Sequence, residues 1–144
     1  MTNKTILTDT GFWIALYDSG DFCHDRAVLE FNRIERWRIL FPWPVFYEVL
    51  RTKFVKNKLN VIKFEKHLRS LSIEKVDDEP YREAALTNTL DLARKGNRNI
   101  SLPDMVIRHI LQNSKIKIDL MVTNNIQDFA DLCSIRRIEV SSLK

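Results

Sequence analysis

The sequence is poor in the residues that build loops, disulfide frameworks and zinc sites. Its 144 residues include 3 Gly, 4 Pro, 2 Cys and 3 His. Few glycines and prolines predict mostly regular secondary structure. Cys23 and Cys133 lie far apart in the chain, which predicts reduced structural thiols. A zinc site would need more Cys and His at ligand spacing than this chain offers.

Long apolar runs are also missing. No run approaches the ~20 residues that span a bilayer, and Met1–Lys4 leads into the first apolar stretch without the pattern of a signal peptide. The length is close to the commonest size of a single domain, and no linker or repeat interrupts it. We therefore expect one domain over residues 1–144, located in the cytoplasm and without a membrane contact.

The net charge of +4 is modest, but the basic residues are unevenly distributed. One cluster lies in residues 51–66 and another in residues 94–98. Such clusters fit attraction to a polyanion, or they are the solvated faces of helices. The basic residues concerned are Arg51, Lys53, Lys56, Lys58, Lys63, Lys66, Arg94, Lys95 and Arg98.

Short apolar runs alternate with helical patterns along the whole chain. Strands are predicted at residues 6–8, 39–41, 72–76, 118–122 and 136–140. Helices are predicted at residues 11–17, 24–37, 44–56, 60–71, 80–96 and 101–111, with a short one after residue 126. This alternation predicts a three-layer α/β/α sandwich with a largely parallel sheet. Ligand sites in such folds lie at the carboxyl ends of the strands.

Local signals refine these predictions. Asp21 is a predicted N-cap for the second helix, and Gly96 is a predicted C-cap. Helical spacing places Ile62, Phe64 and Leu68 among the candidate core residues.

Three acids stand beside apolar sequence, and each also has a structural interpretation. Asp9 ends the first predicted strand, where burial of a carboxylate is costly unless it is paired or bound to a cation. Glu48 borders the apolar face of the third helix, where an ordinary salt bridge would also explain it. Asp104 follows Ser101 by three residues, which resembles a capping box and suits the helix dipole.

A fourth group follows the best late strand. Thr123, Asn125 and Asp128 lie in a turn, and Asn–Asn pairs are also ordinary turn residues. Three carboxylates that converged would repel one another unless a divalent cation neutralised them. Oxygen ligands without His or Cys favour Mg²⁺ or Mn²⁺. Such a centre beside basic patches suits phosphodiester hydrolysis.

The order of these motifs resembles the PIN-domain ribonucleases, and most closely the toxins of VapBC toxin–antitoxin pairs. The motifs are D-T at residues 9–10, a glutamate in the third helix, S-L-P-D at 101–104 and V-T-N-N-x-x-D-F at 122–129. The segment D-S-G-D-F-C-H-D-R-A at 18–27 is similar as well. The resemblance extends over essentially the whole chain and rests on the order and spacing of short motifs.

The resemblance implies a metal site. Asp9, Glu48 and Asp104 match the three acids that bind Mg²⁺ or Mn²⁺ in the family. Many members carry Asp at the fourth position, where this chain has Asn125, so that position departs from the pattern. Asp128 is then expected to supply a carboxylate through a water molecule or to a second metal.

The resemblance also implies a function and partners. It implies an endoribonuclease that leaves a 5′-phosphate and a 3′-hydroxyl, an antitoxin partner, and a homodimer formed through the early helices. The hydroxyls of Thr10, Ser101 and Thr123 are expected to orient the site's side chains. Arg51 and Arg98 are expected to hold the RNA backbone. Two aromatic residues near the site, Phe12 and Trp13, either stack on bases or belong to the core or the dimer interface.

Two other functions stay open from sequence. Asn125 at the fourth position favours a PIN-like RNA- or protein-binding module with weakened catalysis. An aspartate at a strand end beside Mg²⁺ also resembles a phospho-acceptor receiver domain. Receivers have paired acids at the first strand and a lysine after the last one, and neither feature matches well.

Overall fold

The computed structural model describes residues 3–70, 72–96 and 100–144. Its centre is a five-stranded sheet in the order β3-β2-β1-β4-β5, in which every neighbouring pair is parallel. The strands are β1 Thr5–Thr8, β2 Arg38–Pro42, β3 Ile73–Val76, β4 Leu120–Thr123 and β5 Glu139–Ser142.

Helices connect the strands. They are α1 Thr10–Tyr17, α2 His24–Ile34, α3 Trp43–Val49, α4 Thr52–Val55, α5 Lys58–Ser70, α6 Arg82–Arg94, α7 Leu102–Gln112 and α8 Ala130–Arg136, with 3₁₀ turns at Glu79–Tyr81 and Ile126–Asp128. The α/β/α sandwich predicted from the sequence is confirmed, and the sheet of the described residues is parallel throughout.

The two central strands are buried along their whole length. Every residue of β1 and β4 is buried, as expected for strands of a parallel sheet that helices cover on both faces. Ile6 pairs with Ile39 on one side and Leu120 on the other. These pairings bring the carboxyl ends of β1 and β4 to the same edge, with Thr8 opposite Val122.

Two helix boundaries differ from the prediction. The helix predicted at 44–56 is interrupted, because Leu50 adopts φ −82° and ψ 42° and α4 begins only at Thr52. Asp21 is not an N-cap: Cys23 holds that position, and the Asp21 side chain instead accepts a hydrogen bond from the Cys23 amide at 2.8 Å. Asp21 thus orders the turn that precedes the helix.

One predicted core residue is exposed. Ile62 lies on the outer face of α5 and is 50% exposed, and the apolar Leu86 and Leu90 of α6 are exposed as well. Each helix has one buried residue among those described, Phe64 in α5 and Ala85 in α6. Helical spacing identified an apolar stripe, but it did not show which part of the stripe contacts the sheet.

The predictions for Gly96, the two cysteines and membrane spans can be compared with the structure. Gly96 follows α6 with φ +62°, a left-handed conformation that glycine adopts without strain. Cys23 and Cys133 are buried free thiols, as predicted. No helix within the described ranges is long and apolar enough to cross a bilayer.

Candidate active site

The strand order creates a crevice at the carboxyl edge of the sheet. The chain moves from β1 to β2 on one side and reaches β4 on the other. Loops that leave β1 and β4 therefore separate, and ligands of open α/β folds bind at such a switch point. Asp9 follows β1 directly and Thr123 ends β4.

Hydrogen bonds to both carboxylate oxygens fix the Asp9 side chain. The residue is only 5% exposed. One carboxylate oxygen accepts a short hydrogen bond from the Thr123 hydroxyl, and the other accepts from the Phe12 amide at 3.4 Å as the N-cap of α1. The side chain thus has a fixed orientation at the switch point.

Glu48 comes from the neighbouring connection. Pro44 is placed in the first turn of α3, where its missing N–H costs no helical hydrogen bond. Glu48 lies near the end of that helix and is half-buried. The Thr10 hydroxyl donates to its Oε1 at 2.7 Å. Residues next to Asp9 therefore orient the second acid.

Asp104 enters from the start of α7. Ser101 is the N-cap, and its Oγ accepts from the Asp104 amide at 3.3 Å. This is the capping geometry that the sequence suggested. The same placement also brings the Asp104 carboxylate near Glu48 and Asp128, which both raise its pKa. The capping role and a functional role are therefore compatible in one residue.

The turn after β4 completes the crevice. The Asn125 amide donates to the Thr123 hydroxyl oxygen at 2.8 Å, so Thr123 links Asn125 to Asp9. Asp128 ends the 3₁₀ turn, and its backbone carbonyl accepts from Arg108 at 2.7 Å. Asn125 and Asp128 are both half-buried.

The electrostatics of the crevice oppose ionisation. Burial raises the pKa of Asp9 from 3.8 to about 7, although the hydrogen bonds from Thr123 and Phe12 lower it, and the charges of Asp104 and Glu48 raise it further. Burial, then Glu48 and Asp128, raise the pKa of Asp104 to about 6. Among the described residues, Asp9 is thus influenced by two further carboxylates and by no cation.

The donor set fits a hard divalent cation. Asp9, Glu48, Asp104 and Asp128 offer carboxylate oxygens, and Asn125 offers an amide oxygen. Within the described part of the chain, no three His, Cys, Asp or Glu side chains already stand close enough together to hold an ion. A cation here would therefore draw the acids inward or complete its shell with water and substrate oxygens, as Mg²⁺ commonly does.

The other predicted residues have different placements. Arg51 is exposed and lines a cleft together with Glu48. Arg98 lies outside the described residues. Phe12 and Trp13 are fully buried, so they are core residues and cannot stack on bases.

Two residues of the crevice were not predicted. A Cβ on Gly11 would lie 2.4 Å from the side-chain amide of Asn124, so that amide packs closely against the start of α1. Arg108 fixes the turn through the Asp128 carbonyl and pairs with Asp131. Gly11, which directly follows Asp9 and Thr10 in the sequence, was the signal that could have indicated this close contact. No local pattern indicated Arg108.

A parallel sheet of this order with acids at its switch point defines a PIN-like α/β/α domain. No protein-family model matches the sequence, and a search of curated proteins gives no match. Solved structures do match.

The fold is that of VapC toxins. The structure of VapBC2 from Rickettsia felis, bound to a DNA fragment from its promoter, matches with a TM-score of 0.58 and 17% identity over 96% of this chain and 98% of that one. VapC20 from Mycobacterium tuberculosis, a toxin that cleaves the sarcin–ricin loop, matches with a TM-score of 0.62 and 20% identity over 81% and 86%. At these identities the likeness shows a shared fold.

Proposed function

We propose that this chain is a Mg²⁺- or Mn²⁺-dependent endoribonuclease. The observation that supports this most is the convergence of Asp9, Glu48 and Asp104 from three separate connections at the switch point. Acids that serve only folding are usually paired with cations or capping groups. Asp9 is buried beside other acids at a cost in stability, which a bound divalent cation would remove.

The residues of the crevice have distinct roles in this proposal. Asp9, Glu48 and Asp104 would hold the cation, and Asn125 or Asp128 would orient a water molecule or a further ligand. Bound there, the cation would activate water and polarise the phosphate oxygens. Thr123 fixes the orientation of Asp9, and Thr10 fixes that of Glu48. Such supporting hydrogen bonds set the positions of metal ligands.

The partners are proposed from the resemblance and from the structural neighbours. We infer a single PIN-like domain over residues 1–144, in the cytoplasm, that acts as the toxin of a type II toxin–antitoxin pair. The VapBC2 structure supports an antitoxin partner, and the RNA-cleaving VapC20 supports an RNA substrate. We also propose a homodimer formed through the early helices.

A binding module with weakened catalysis is the second candidate. Asn125 favours it, because an amide stands where many PIN domains carry a fourth carboxylate. Such a module would bind RNA or protein without metal-dependent turnover. The following experiment separates the two functions.

Replacement of Asp9 is the direct test. Asp9→Asn is expected to lower Mn²⁺-dependent cleavage of RNA by more than about 100-fold, because loss of a residue that only supports a metal ligand already costs 10–100-fold. Cleavage of a labelled RNA pool gives the rate, and circular dichroism verifies the fold.

Asp91→Asn is the matched control, since it makes the same chemical change in an acid of α6 that pairs with Arg94 outside the crevice. Its cleavage rate should equal that of the wild type. Equal rates for wild type and Asp9→Asn would refute the proposed site, and RNA binding without turnover in the wild type would support the binding module.

A further inference from the structure

A groove leads away from the acidic crevice along α1, α4 and α5. It consists of two clefts of about 430 Å³ and 380 Å³. Glu48 lines the first cleft, and Lys63 lines the second. Asp18, Asn57 and Asn60 line both clefts. The two are therefore continuous, and we call them together the α4–α5 groove.

The rim of the α4–α5 groove is basic. Residues 51–66 contain six Arg or Lys and a single acid, Glu65, which pairs with Arg69 at 3.3 Å. Three of the cations line the groove, and all three are exposed. Among the described residues, none of these three pairs with an acidic side chain. They are Arg51, Lys53 and Lys63.

The interior of the groove differs from its rim. Ile14, Val49 and Phe54 give the first cleft an apolar floor. Asn57 and Asn60 add amide groups, and the Asn57 side chain already accepts from the Asn60 amide at 3.1 Å. The shared acid, Asp18, is engaged in a turn, since it accepts from the Gly20 amide at 2.9 Å. A cationic rim with an aromatic residue, Phe54, in the floor fits a single-stranded nucleic acid, because its phosphates need positive charge and its bases stack on aromatic rings.

The charge of the crevice explains why such a groove is needed. The acids at the switch point repel the polyanion that the proposed reaction requires. Cations immediately beside Glu48 offset that repulsion and give the strand one direction of approach. An extended acidic peptide is a different occupant, but a single nucleic-acid strand can use both the cationic rim and the aromatic ring of Phe54 in the floor.

We propose that the RNA strand next to the cleaved bond lies in the α4–α5 groove. Arg51, Lys53 and Lys63 contact its phosphates, and its bases face the floor. This inference rests on the proposed nuclease function and extends it by assigning the path of the substrate.

The test removes two rim charges and keeps Arg51, which is three residues from Glu48. Lys53→Gln/Lys63→Gln is compared with Arg36→Gln/Lys115→Gln, which removes the same charge at exposed positions before β2 and β4, at the opposite edge of the sheet. Binding of a labelled 12-nucleotide single-stranded RNA is measured by fluorescence anisotropy in EDTA, from 0.05 to 0.5 M salt.

The groove variant is expected to bind on the order of tenfold more weakly at 0.1 M salt. Its plot of log K against log salt should be shallower by about 1.4, since each lost phosphate contact of a single strand contributes about 0.7. The control variant should keep the wild-type slope. A trinucleotide centred on the cleaved bond should be less sensitive to the groove variant than the 12-mer, because it offers fewer phosphates to the groove.

The outcomes separate this inference from the proposed function. If the wild type cleaves RNA and Asp9→Asn does not, but both double variants bind alike, the groove is not the path of the strand. Equal losses for the 12-mer and the trinucleotide would also overturn the inference. If the wild type neither binds nor cleaves RNA, the proposed function itself fails. An acidic peptide that binds wild type but not the groove variant, with RNA binding unchanged, would assign the groove to a protein partner.

Discussion

Two aspartates of this molecule show opposite behaviour. Asp131 on α8 receives two hydrogen bonds of 2.8 Å from Arg108, which lower its pKa from 3.8 to about 2. Asp9 at the switch point is buried, and its pKa rises to about 7. The same side chain is thus stabilised as an anion in one region and opposed as an anion in the other.

The difference indicates which acid serves the fold and which serves a ligand. Asp131 forms an ion pair with Arg108 of the same chain. Arg108 also donates to the backbone carbonyl of Asp128 and so stabilises that turn. Asp9 receives hydrogen bonds from Thr123 and Phe12 that fix its direction without compensating its charge and burial. A carboxylate that is oriented but not neutralised is suited to an external cation.

The pH dependence of stability should show the largest effect. In EDTA, Asp9 stays protonated in the folded chain up to about pH 7 but ionises near 3.8 when unfolded. The unfolding free energy should therefore fall as pH rises from 4 to 7, by up to about 4 kcal/mol from this residue.

Asp131 acts in the opposite sense, because its stabilisation is present above pH 3.8 and is lost as pH falls toward 2. It is half exposed, so it contributes about 1 kcal/mol or less.

Urea unfolding followed by tryptophan fluorescence between pH 4.5 and 8 measures this dependence. The difference between wild type and Asp9→Asn reports on Asp9 and its coupling to the neighbouring acids, since titrating groups outside the crevice cancel. Asp131→Asn should keep the wild-type dependence over that range. Parallel curves for wild type and Asp9→Asn would show that the Asp9 carboxylate is not opposed by its surroundings.

Binding of a divalent cation should offset the loss of stability that results from burying the Asp9 carboxylate at the switch point. At pH 8, Mn²⁺ at 100 times its Kd should raise the unfolding free energy of the wild type by about 2.7 kcal/mol. The double variant Asp9→Ala/Asp104→Ala should show no such gain, because it lacks two of the three proposed ligands. Thermal unfolding with and without Mn²⁺ and titration calorimetry measure the two effects.

Asp91→Ala serves as the comparison, since it removes an acid of α6 that pairs with Arg94 outside the crevice. It should gain as much stability from Mn²⁺ as the wild type. An equal gain in the double variant would mean that the crevice acids do not bind the ion.

Much of the fold could be predicted from the sequence, because parallel strands and their helices leave strong periodic patterns. β1 and β4 were found as apolar runs, and the site followed from their carboxyl ends. The prediction that Ile62 is a core residue was wrong, since periodicity identifies an apolar stripe but not the surface that it contacts. The break at Leu50 was missed because no Gly or Pro marks it.

The chemistry of the candidate site was only partly accessible to sequence reasoning. Asp9 could be placed at the carboxyl edge of the sheet because it ends a predicted strand, whereas Glu48 and Asp104 were assigned to the same site through the resemblance. Spacing could not show that the Thr123 hydroxyl links Asp9 to the Asn125 amide, since that link spans 114 residues. The Arg108–Asp131 pair joins α7 to α8 and likewise depends on tertiary packing.

A substitution at Asn125 should have the smallest effect, because it adds one acid to the crevice without removing any of the three proposed metal ligands. Asn125→Asp adds a carboxylate to the crevice, close to Thr123 and half-buried. In EDTA it should cost less than about 1 kcal/mol of stability, while its charge should tighten Mn²⁺ binding about three- to tenfold. Asn32→Asp makes the same change at an exposed position of α2 and should alter neither quantity. Calorimetric titration of both variants gives the affinities. An unchanged Mn²⁺ affinity in Asn125→Asp would show that this side chain does not reach the cation, and Asp128 would then be the only candidate among the described turn residues for a fourth ligand.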